Sequence, residues 1–184
     1  MVSYARDGCI LHLKFIGGVC FGRLLGITKY TTRSDVCNLL DGCNLNLDDI
    51  KVEYSRSFLP VSMLIQFPSR DAYEVGLKAT RRDRLHRLDM TNRSAWGTLH
   101  AYEGRSILLE EVPISATPDD VERFLSGCQY DPSTFRNIFS RGGFPQTVRF
   151  VTVSFPSQAL AMHACITKDR SFCINKQISV RVLH

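Results

Sequence analysis

The sequence lacks the long apolar runs and the paired cysteines that identify many membrane proteins and zinc proteins. A membrane span needs about 20 apolar residues, and the longest apolar stretch, 10–21, is interrupted by His12 and Lys14. The seven cysteines include no Cys-x-x-Cys pair, which argues against a structural zinc site. They are typical of small buried side chains in a reducing compartment. We therefore expect neither a membrane partner nor a bound metal.

Catalytic motifs are also missing. The sequence has no Gly-x-Ser-x-Gly elbow, no Walker-type phosphate loop and no His-x-x-x-His pair. The glycine-rich segment 16–22 lacks the spacing of a phosphate loop. The acid pairs at 48–49 and 119–120 are better explained by a turn and by a helix start. We expect no catalytic residue, no cofactor and no small-molecule substrate.

Aromatic residues and surplus charge are scarce. Aromatic side chains make up 10% of the chain, with a single Trp, and 23 Lys and Arg against 18 Asp and Glu give a net charge of +5. This mildly basic balance suits a polyanionic partner without proving one. A length of 184 residues fits one or two compact domains.

What the sequence does contain is an internal repeat. Residues 35–43 return in similar form at 120–128, and 66–69 return at 154–157, at nearly the same separation along the chain. A repeat unit of this length is itself a small domain. The sequence therefore predicts an N-terminal extension at 1–19 and two domains at 20–101 and 105–184.

Both repeats show the same order of elements. In the second, the predicted strands lie at 106–109, 135–139, 148–155 and 178–182, and the helices begin after Thr117 and after Ser157. In the first, the strands lie at 23–27, 50–54, 60–67 and within 94–102, and the helices begin after Thr32 and after Ser69. This order predicts an α+β fold made of two tandem ferredoxin-like βαββαβ domains. Each has a four-stranded antiparallel sheet with two helices on one face, which leaves the other face open as a binding platform.

These segments resemble the RNA recognition motif (RRM) family. Residues 107–113 and 148–155 lie where the family keeps its strand-one hexamer and strand-three octamer, and 175–180 resembles its turn into strand four. The first repeat, through 22–27 and Thr31-Thr32, is similar to the quasi-RRM variant. The resemblance covers residues 20–184 and implies two degenerate RRM domains that bind RNA.

Most of the base-stacking positions of the family are not aromatic here. The resemblance places these positions at Leu108, Phe150 and Thr152 in the second repeat and at Arg23, Ser62 and Leu64 in the first. A stacked base contributes about 1 to 3 kcal/mol, so we expect weak binding at the sheet faces. Phe150 is the best candidate for stacking, and a protein contact is its alternative role.

Arginines are better represented than aromatic stackers. One group follows the second helix of the first repeat, and another flanks the loop between the second and third strands of the second repeat. We expect these side chains to contact phosphates, with a solvated charged face as the alternative. The candidate RNA-binding residues are Arg23, Arg81, Arg82, Arg84, Arg87, Leu108, Arg136, Arg141, Arg149, Phe150, Thr152 and Arg181. Trp96 is expected to pack between the two domains.

The sequence therefore favours a non-catalytic protein that binds structured RNA through arginine–phosphate contacts. The resemblance suggests a ribonucleoprotein component in contact with rRNA and neighbouring proteins, such as an RRM protein of a plant-type mitochondrial ribosome, located in mitochondria. One alternative is a splicing or processing factor of the quasi-RRM type, in the nucleus or cytoplasm. Another is a protein-interaction scaffold that uses Leu64 and Leu108 of its sheet faces.

Overall fold

A computed structural model describes residues 18–141 and 147–184. Most of the predicted N-terminal extension therefore lies outside the described residues. The first unit comprises β1 (Cys20–Leu25), α1 (Arg33–Leu39), β2 (Ile50–Tyr54), β3 (Pro60–Phe67), α2 (Arg70–Asp83) and β4 (Arg87–Thr91).

A short helix, α3 (Arg93–Thr98), connects the first unit to the second. The second unit comprises β5 (Ser106–Val112), α4 (Pro118–Phe124), β6 (Asp131–Arg141), β7 (Thr147–Ser154), α5 (Gln158–Lys168) and β10 (Ser179–Leu183). A small hairpin of β8 (Phe172–Cys173) and β9 (Lys176–Gln177) lies between α5 and β10.

The two sheets have the same topology. The strand orders are β2-β3-β1-β4 and β10-β5-β7-β6, and every pairing is antiparallel. Numbered within its own unit, each sheet places its first strand between the third and the fourth. This arrangement confirms the predicted fold class, two tandem βαββαβ domains of the ferredoxin-like type.

The first helix of each domain begins with the same local signal. Thr32 and Thr117 are N-caps whose side chains accept the backbone N–H of Asp35 and Asp120, and each Asp in turn accepts from the capping Thr. Such a capping box satisfies donors that the first turn leaves without partners. The matching motif explains why both helices begin where the sequence predicts.

Each domain has its own hydrophobic core between the sheet and its two helices. In the first domain Val36, Ile65 and Phe67 are buried together, and in the second Val121 and Val153 belong to a separate buried cluster. The cysteines of the described residues that are buried, Cys43 and Cys173, belong to these cores.

The last strand of the first domain is not where the sequence predicted it. The prediction placed it within 94–102, whereas β4 is formed by Arg87–Thr91 and is followed by α3. The arginines around β4 resemble a charge run, and Leu88 is the strand's single buried residue, so no apolar alternation marks it. Asn92 then accepts from the N–H of Ala95 and caps α3.

Within 18–141 and 147–184, no helix is both long and apolar enough to cross a membrane.

Candidate functional site

The outward face of the second sheet holds the three positions at which the family resemblance places stacked bases. Leu108, Phe150 and Thr152 lie on the two central strands, where Leu108 is paired with Thr152. All three side chains are buried, with exposures of 0%, 7% and 6%. The prediction that these residues contact RNA is therefore wrong for this conformation, because another part of the chain covers them.

The cover comes from the first domain. Phe58, in the 55–59 loop between β2 and β3, forms a buried cluster with Leu108, Phe150 and Leu183. The rings of Phe58 and Phe150 lie 5.6 Å apart between centroids with a tilt of 55°, within the range of favourable aromatic pairs. Phe58 thus covers the ring of Phe150, the residue at which the family resemblance places a stacked base.

The loop that presents Phe58 is held in a tight conformation. The backbone N–H of Ser55 donates to Leu59 O at 2.8 Å, and the N–H of Phe58 donates to Ser55 O at 2.9 Å. Phe58 itself has φ +56°, a left-handed conformation that costs a non-glycine residue about 1 kcal/mol. Burial against the second sheet offsets this cost.

Arg181 fixes the same loop by polar contacts. Its Nε donates to Glu110 Oε1 at 2.6 Å, and its Nη2 donates to the carbonyl oxygen of Phe58. The guanidinium therefore joins the edge of the second sheet to the loop of the first domain. Two of its donors are thus engaged inside the protein, while 32% of the side chain stays exposed, so a contact of Arg181 with phosphate stays a prediction.

The outward face of the first sheet is covered by α3. The ring of Trp96 lies 5.9 Å from that of Phe21, and the Lys51 ammonium lies 4.5 Å from the centre of the Trp96 ring. Lys51 Nζ also donates to the carbonyl oxygens of Trp96 and Leu99, at 3.1 and 3.3 Å. Trp96 therefore covers the first sheet, and the expectation that it packs between the domains is wrong.

Under this cover the first-domain positions named by the resemblance make internal contacts. Arg23 Nε lies 3.6 Å from Glu53 Oε2, and Ser62 donates a hydrogen bond to the same carboxylate. Leu64 and Ser62 are each 1% exposed. The ion pair engages one edge of the Arg23 guanidinium, and 39% of the side chain stays exposed, so a contact of Arg23 with RNA stays a prediction. Docking of a partner on Leu64 or Leu108 is excluded in this conformation.

Arg149 is a structural residue. It is 5% exposed and lies on the inward face of β7, and it donates to Asn137 Oδ1 at 2.6 and 2.9 Å. It also donates to Ala116 O at 2.6 Å and to Pro113 O at 3.3 Å. The prediction of a phosphate contact at Arg149 is wrong, because these acceptors use its donors and the side chain does not reach solvent.

The arginines at the end of α2 remain on the surface. Arg81, Arg82 and Arg84 are exposed, and no ion pair to them is found among the residues that the structure describes. The nearest acid in sequence, Asp83, is hydrogen-bonded by His86, which holds the pKa of the Asp83 carboxyl below its ordinary value. This carboxylate is thus directed to His86.

Arg87 has a weaker place in this group. It belongs to β4, and its Nε donates to Asp89 Oδ1 at 2.7 Å while the side chain stays largely exposed. The turn before it is packed against the loop after β1, since a Cβ at Gly26 (φ +86°) would collide with the carbonyl oxygen of Leu85. The exposed Lys29 and Tyr30 belong to that loop. Basic and aromatic side chains thus share one end of the first domain.

The arrangement at the end of α2 has a purely structural explanation too. Arg81 and Arg82 lie in the last turn of the helix, where positive charge is favourable next to the carbonyl end of the helix dipole. A single ion in the last turn gains about 0.3 to 1 kcal/mol. The dipole accounts for some positive charge at this site, whereas Arg84 lies beyond the last turn.

In the second domain the predicted arginines separate. Arg136 is exposed on β6, on the same face as Thr152, with which it is paired. The side chain of Arg141 lies outside the described residues. Arg81, Arg82, Arg84 and Arg87 thus lie together around the end of α2 and the start of β4. Arg136 belongs to the other domain. Arg23, Arg149 and Arg181 make contacts inside the protein.

Three aromatic residues that cover the sheets or join the domains were not predicted in these roles from the sequence. Phe58 and Tyr102 contribute to the domain junction and Trp96 to the first sheet's cover. A single aromatic residue in a loop has no periodic partner, so nothing in the sequence pattern distinguishes Phe58 from an ordinary surface ring. For Trp96, the capping residue Asn92 could have indicated that a helix, and not a strand, contains it.

In the parts of the chain that the structure covers, no group of three His, Cys, Asp or Glu side chains is placed to hold a metal ion.

Comparisons with known proteins give only distant likenesses. No family model and no curated protein matches the chain. Among solved structures, it is similar to the Glorund qRRM2 domain, with 15% identity over 45% of this chain and 100% of that one and a TM-score of 0.38. It is also similar to Sex-lethal RNA recognition domains 1 and 2 from Drosophila melanogaster, with 12% identity over 90% of this chain and 99% of that one and a TM-score of 0.32.

A third similar structure contains the three N-terminal RNA binding domains of the yeast splicing factor Prp24, at 15% identity over 90% of this chain and 66% of that one, with a TM-score of 0.33. At such scores the fold assignment rests on the chain's own strand order. In both domains the first and third strands are central, and the two helices cover one face. The protein consists of two βαββαβ domains of the ferredoxin-like fold whose outward sheet faces are covered by its own chain.

Proposed function

We propose that this protein binds RNA without catalysis, and that it contacts phosphates through arginines that lie off the sheet faces. The observation that carries the proposal is the cluster of Arg81, Arg82 and Arg84 at the end of α2. These side chains are exposed, and no acid among the described residues pairs with them. Clustered guanidinium groups bind phosphate oxygens well because they offer several donors in a fixed geometry.

The covered sheets determine what kind of RNA suits this surface. Single strands are normally held by stacking on exposed aromatic rings, and Phe150 is buried here. Contacts limited to phosphates read the shape of the backbone and not the base sequence. We infer that structured RNA is the preferred ligand.

A ribonucleoprotein particle is the setting that fits such binding. We propose rRNA as the ligand and a ribosome, specifically a mitochondrial one, as the particle, and the family resemblance is what supports this assignment. Exposed apolar side chains on the helix side of the second domain, Ile166 and Phe172 at 72% and 68% exposure, favour additional contacts with neighbouring proteins of the particle.

The phosphate contacts are tested by removing charge. We expect the triple variant Arg81→Gln, Arg82→Gln, Arg84→Gln to bind a stem–loop RNA less tightly and to reduce the slope of log K against log salt by about 2 to 3, since each phosphate contact contributes about 0.7 to 0.9. The measurement is fluorescence anisotropy of the labelled RNA over a salt series.

A matched control changes the same charge elsewhere. Arg105, Arg123 and Arg170 are exposed arginines of the second domain, each paired with an acid. Replacing these three by Gln should leave the salt slope nearly unchanged. The same slope in both triple variants would show that the arginines at the end of α2 make no phosphate contacts of their own, and absence of binding by the natural protein would overturn RNA binding itself.

The particle is tested separately. Co-sedimentation of the native protein with ribosomal particles in a sucrose gradient, lost after ribonuclease treatment, is the expected result. Migration with smaller processing complexes would instead favour a splicing or transcript-processing role.

A further inference from the structure

A groove follows the junction of the two domains, next to the covered face of the second sheet. Its volume is about 510 Å³, within the range of small-molecule and cofactor sites. The lining residues are Tyr54, Ser55, Arg56, Phe58, Tyr102, Ile138 and Phe139. No acidic residue belongs to this lining.

The wall of the groove is aromatic. Tyr54 and Tyr102 meet edge to face with ring centroids 5.8 Å apart, and His100 lies edge to face with Tyr102 at 4.7 Å. Both tyrosines are half-buried, so part of each ring reaches the groove. Burial raises the pKa of both hydroxyls, and the tyrosines therefore stay neutral at physiological pH.

The rings are held in place by several independent contacts. The hydroxyl of Tyr54 accepts the backbone N–H of His184 at 3.0 Å. Tyr54 and Tyr102 also pack against the cluster of Phe58, Leu108, Phe150 and Leu183. A rigid ring loses little conformational entropy when a ligand binds to it. The wall is thus preorganised for a flat ligand.

Positive charge lies on both sides of the groove. Arg56 is exposed in the 55–59 loop of the first domain, and Arg136 is exposed on β6 of the second. Neither forms an ion pair among the residues within 18–141 and 147–184. Arg136 lies near enough to Tyr102 that its charge partly opposes the rise in the pKa of that hydroxyl.

We propose that this groove binds a nucleotide of single-stranded RNA, with the base against Tyr102 and the flanking phosphates at Arg56 and Arg136. The proposal rests on the RNA-binding function proposed above and adds a second, base-contacting site to it. Because Phe58 covers the ring of Phe150, the RNA strand is shifted from the sheet to the neighbouring groove. The loop, the linker and the edge strand of the second sheet together replace the sheet face.

The observations favour a nucleotide over a peptide. A peptide site needs partners for backbone N–H and C=O groups, and the β6 edge is one possible source of them. However, an aromatic wall with no acid in its lining and with an arginine on each side matches a planar base between two negative charges. Stacking is tolerant of sequence because every base offers a ring face, so the site suits any unpaired nucleotide in a loop or at an end.

The test uses the full chain and a single-stranded oligouridylate that contains 4-thiouridine. We expect photocrosslinks at Tyr102 or Tyr54, and about tenfold weaker binding of the oligonucleotide by Tyr102→Leu, which keeps an apolar side chain but removes the stacking surface. The control is Phe172→Leu, which removes an exposed ring (68% exposed) on the helix side of the second domain and should not change binding.

A second variant keeps the test informative if Tyr102→Leu disturbs the domain junction. Arg56→Gln combined with Arg136→Gln alters exposed side chains only, and it should weaken oligouridylate binding several-fold without changing the thermal midpoint. Crosslinks confined to the arginines of α2, with unchanged affinity in both groove variants, would overturn the groove site while leaving RNA binding intact. Failure of the natural protein to bind either the stem–loop or the oligouridylate would instead overturn the proposed function.

Discussion

The two sheets of this protein have the same strand order but are covered in different ways. The first is covered by α3, which follows its own last strand directly, with Trp96 against Phe21. The second is covered by Phe58, which belongs to the other domain and precedes Phe150 by a long stretch of chain. One cover is local in sequence, whereas the other depends on docking of two domains.

This difference determines how each face can be exposed. A local helix needs to lose only its own contacts to leave the sheet, and its loss leaves the other domain intact. Phe58 and Phe150 belong to different domains, so separation of the domains removes the Phe58 cover. The free energy of domain docking therefore sets how often Phe150 is accessible to a ligand.

The largest effect is expected from removing the Phe58 ring, which covers the second sheet. We expect Phe58→Ala to lower the stability of the docked state by about 3 kcal/mol, as for other buried Phe to Ala substitutions. Denaturant unfolding followed by circular dichroism should then show two transitions where the natural protein shows one. Leu59→Ala, at a neighbouring position that is 56% exposed, is the control. A single transition with an unchanged midpoint in Phe58→Ala would contradict the interdomain cover.

The corresponding change in the first domain should act only there. We expect Trp96→Ala to destabilise the first domain by about 2 kcal/mol through lost apolar burial and the lost cation–π contact with Lys51. Hydrogen exchange should quicken in β1 and β3 but not in β5 and β7. Ser94→Ala, on the exposed side of α3, should change neither. Equal acceleration in both sheets would mean that α3 also supports the domain junction.

A smaller effect is expected from the hydrogen bonds by which Arg181 joins the two domains. Arg181→Met removes the hydrogen bonds to Glu110 and to the carbonyl of Phe58, and we expect docking to weaken by about 1 kcal/mol because the guanidinium is partly exposed. Arg181→Lys should restore little, since an ammonium group cannot reach both acceptors as a guanidinium fork does. The change would appear as a lower midpoint of the junction transition, and Arg170→Met serves as the control for loss of charge.

The smallest effect is expected from the capping boxes that begin the first helix of each domain. Hydrogen bonds from Thr32 and Thr117 hold the pKa values of Asp35 and Asp120 below their ordinary values. These carboxylates therefore stabilise the fold above about pH 4, and the contribution is lost as pH falls through their lowered pKa values. Asp35→Asn and Asp120→Asn should each lower the denaturation midpoint at neutral pH by a similar amount. Each should match the natural protein near pH 2, and a constant difference across this range would show that the charge is not responsible.

The elements of the fold were predictable wherever a local signal is strong. The residues that cap the helices, Thr32, Ser69, Thr117 and Ser157, identified the helix starts correctly, and the strand predicted at 60–67 coincides with β3. β4 was missed because it lies at the sheet edge with one buried residue, so neither periodicity nor propensity marks it.

The candidate site was harder to predict because it depends on contacts between distant parts of the chain. Phe58 and Tyr102 are single residues in a loop and a linker, and no local pattern shows that they meet the second sheet. Arg149 is a different case. Its position in β7 has the same parity as Val151 and Val153, which indicates an inward side chain, and the sequence therefore already argued against a phosphate contact.

The Phe58–Phe150 pair has a consequence for any strand that approaches the second sheet. Since the occupying ring is tethered to the same chain, it competes at an effective concentration of the order of millimolar, and no dilution of the protein reduces it. An oligonucleotide at micromolar concentration would have to displace a side chain that belongs to the same molecule. Phe58 is thus an intramolecular competitor at the second sheet face, and it prevents weak, unspecific ligands from binding there.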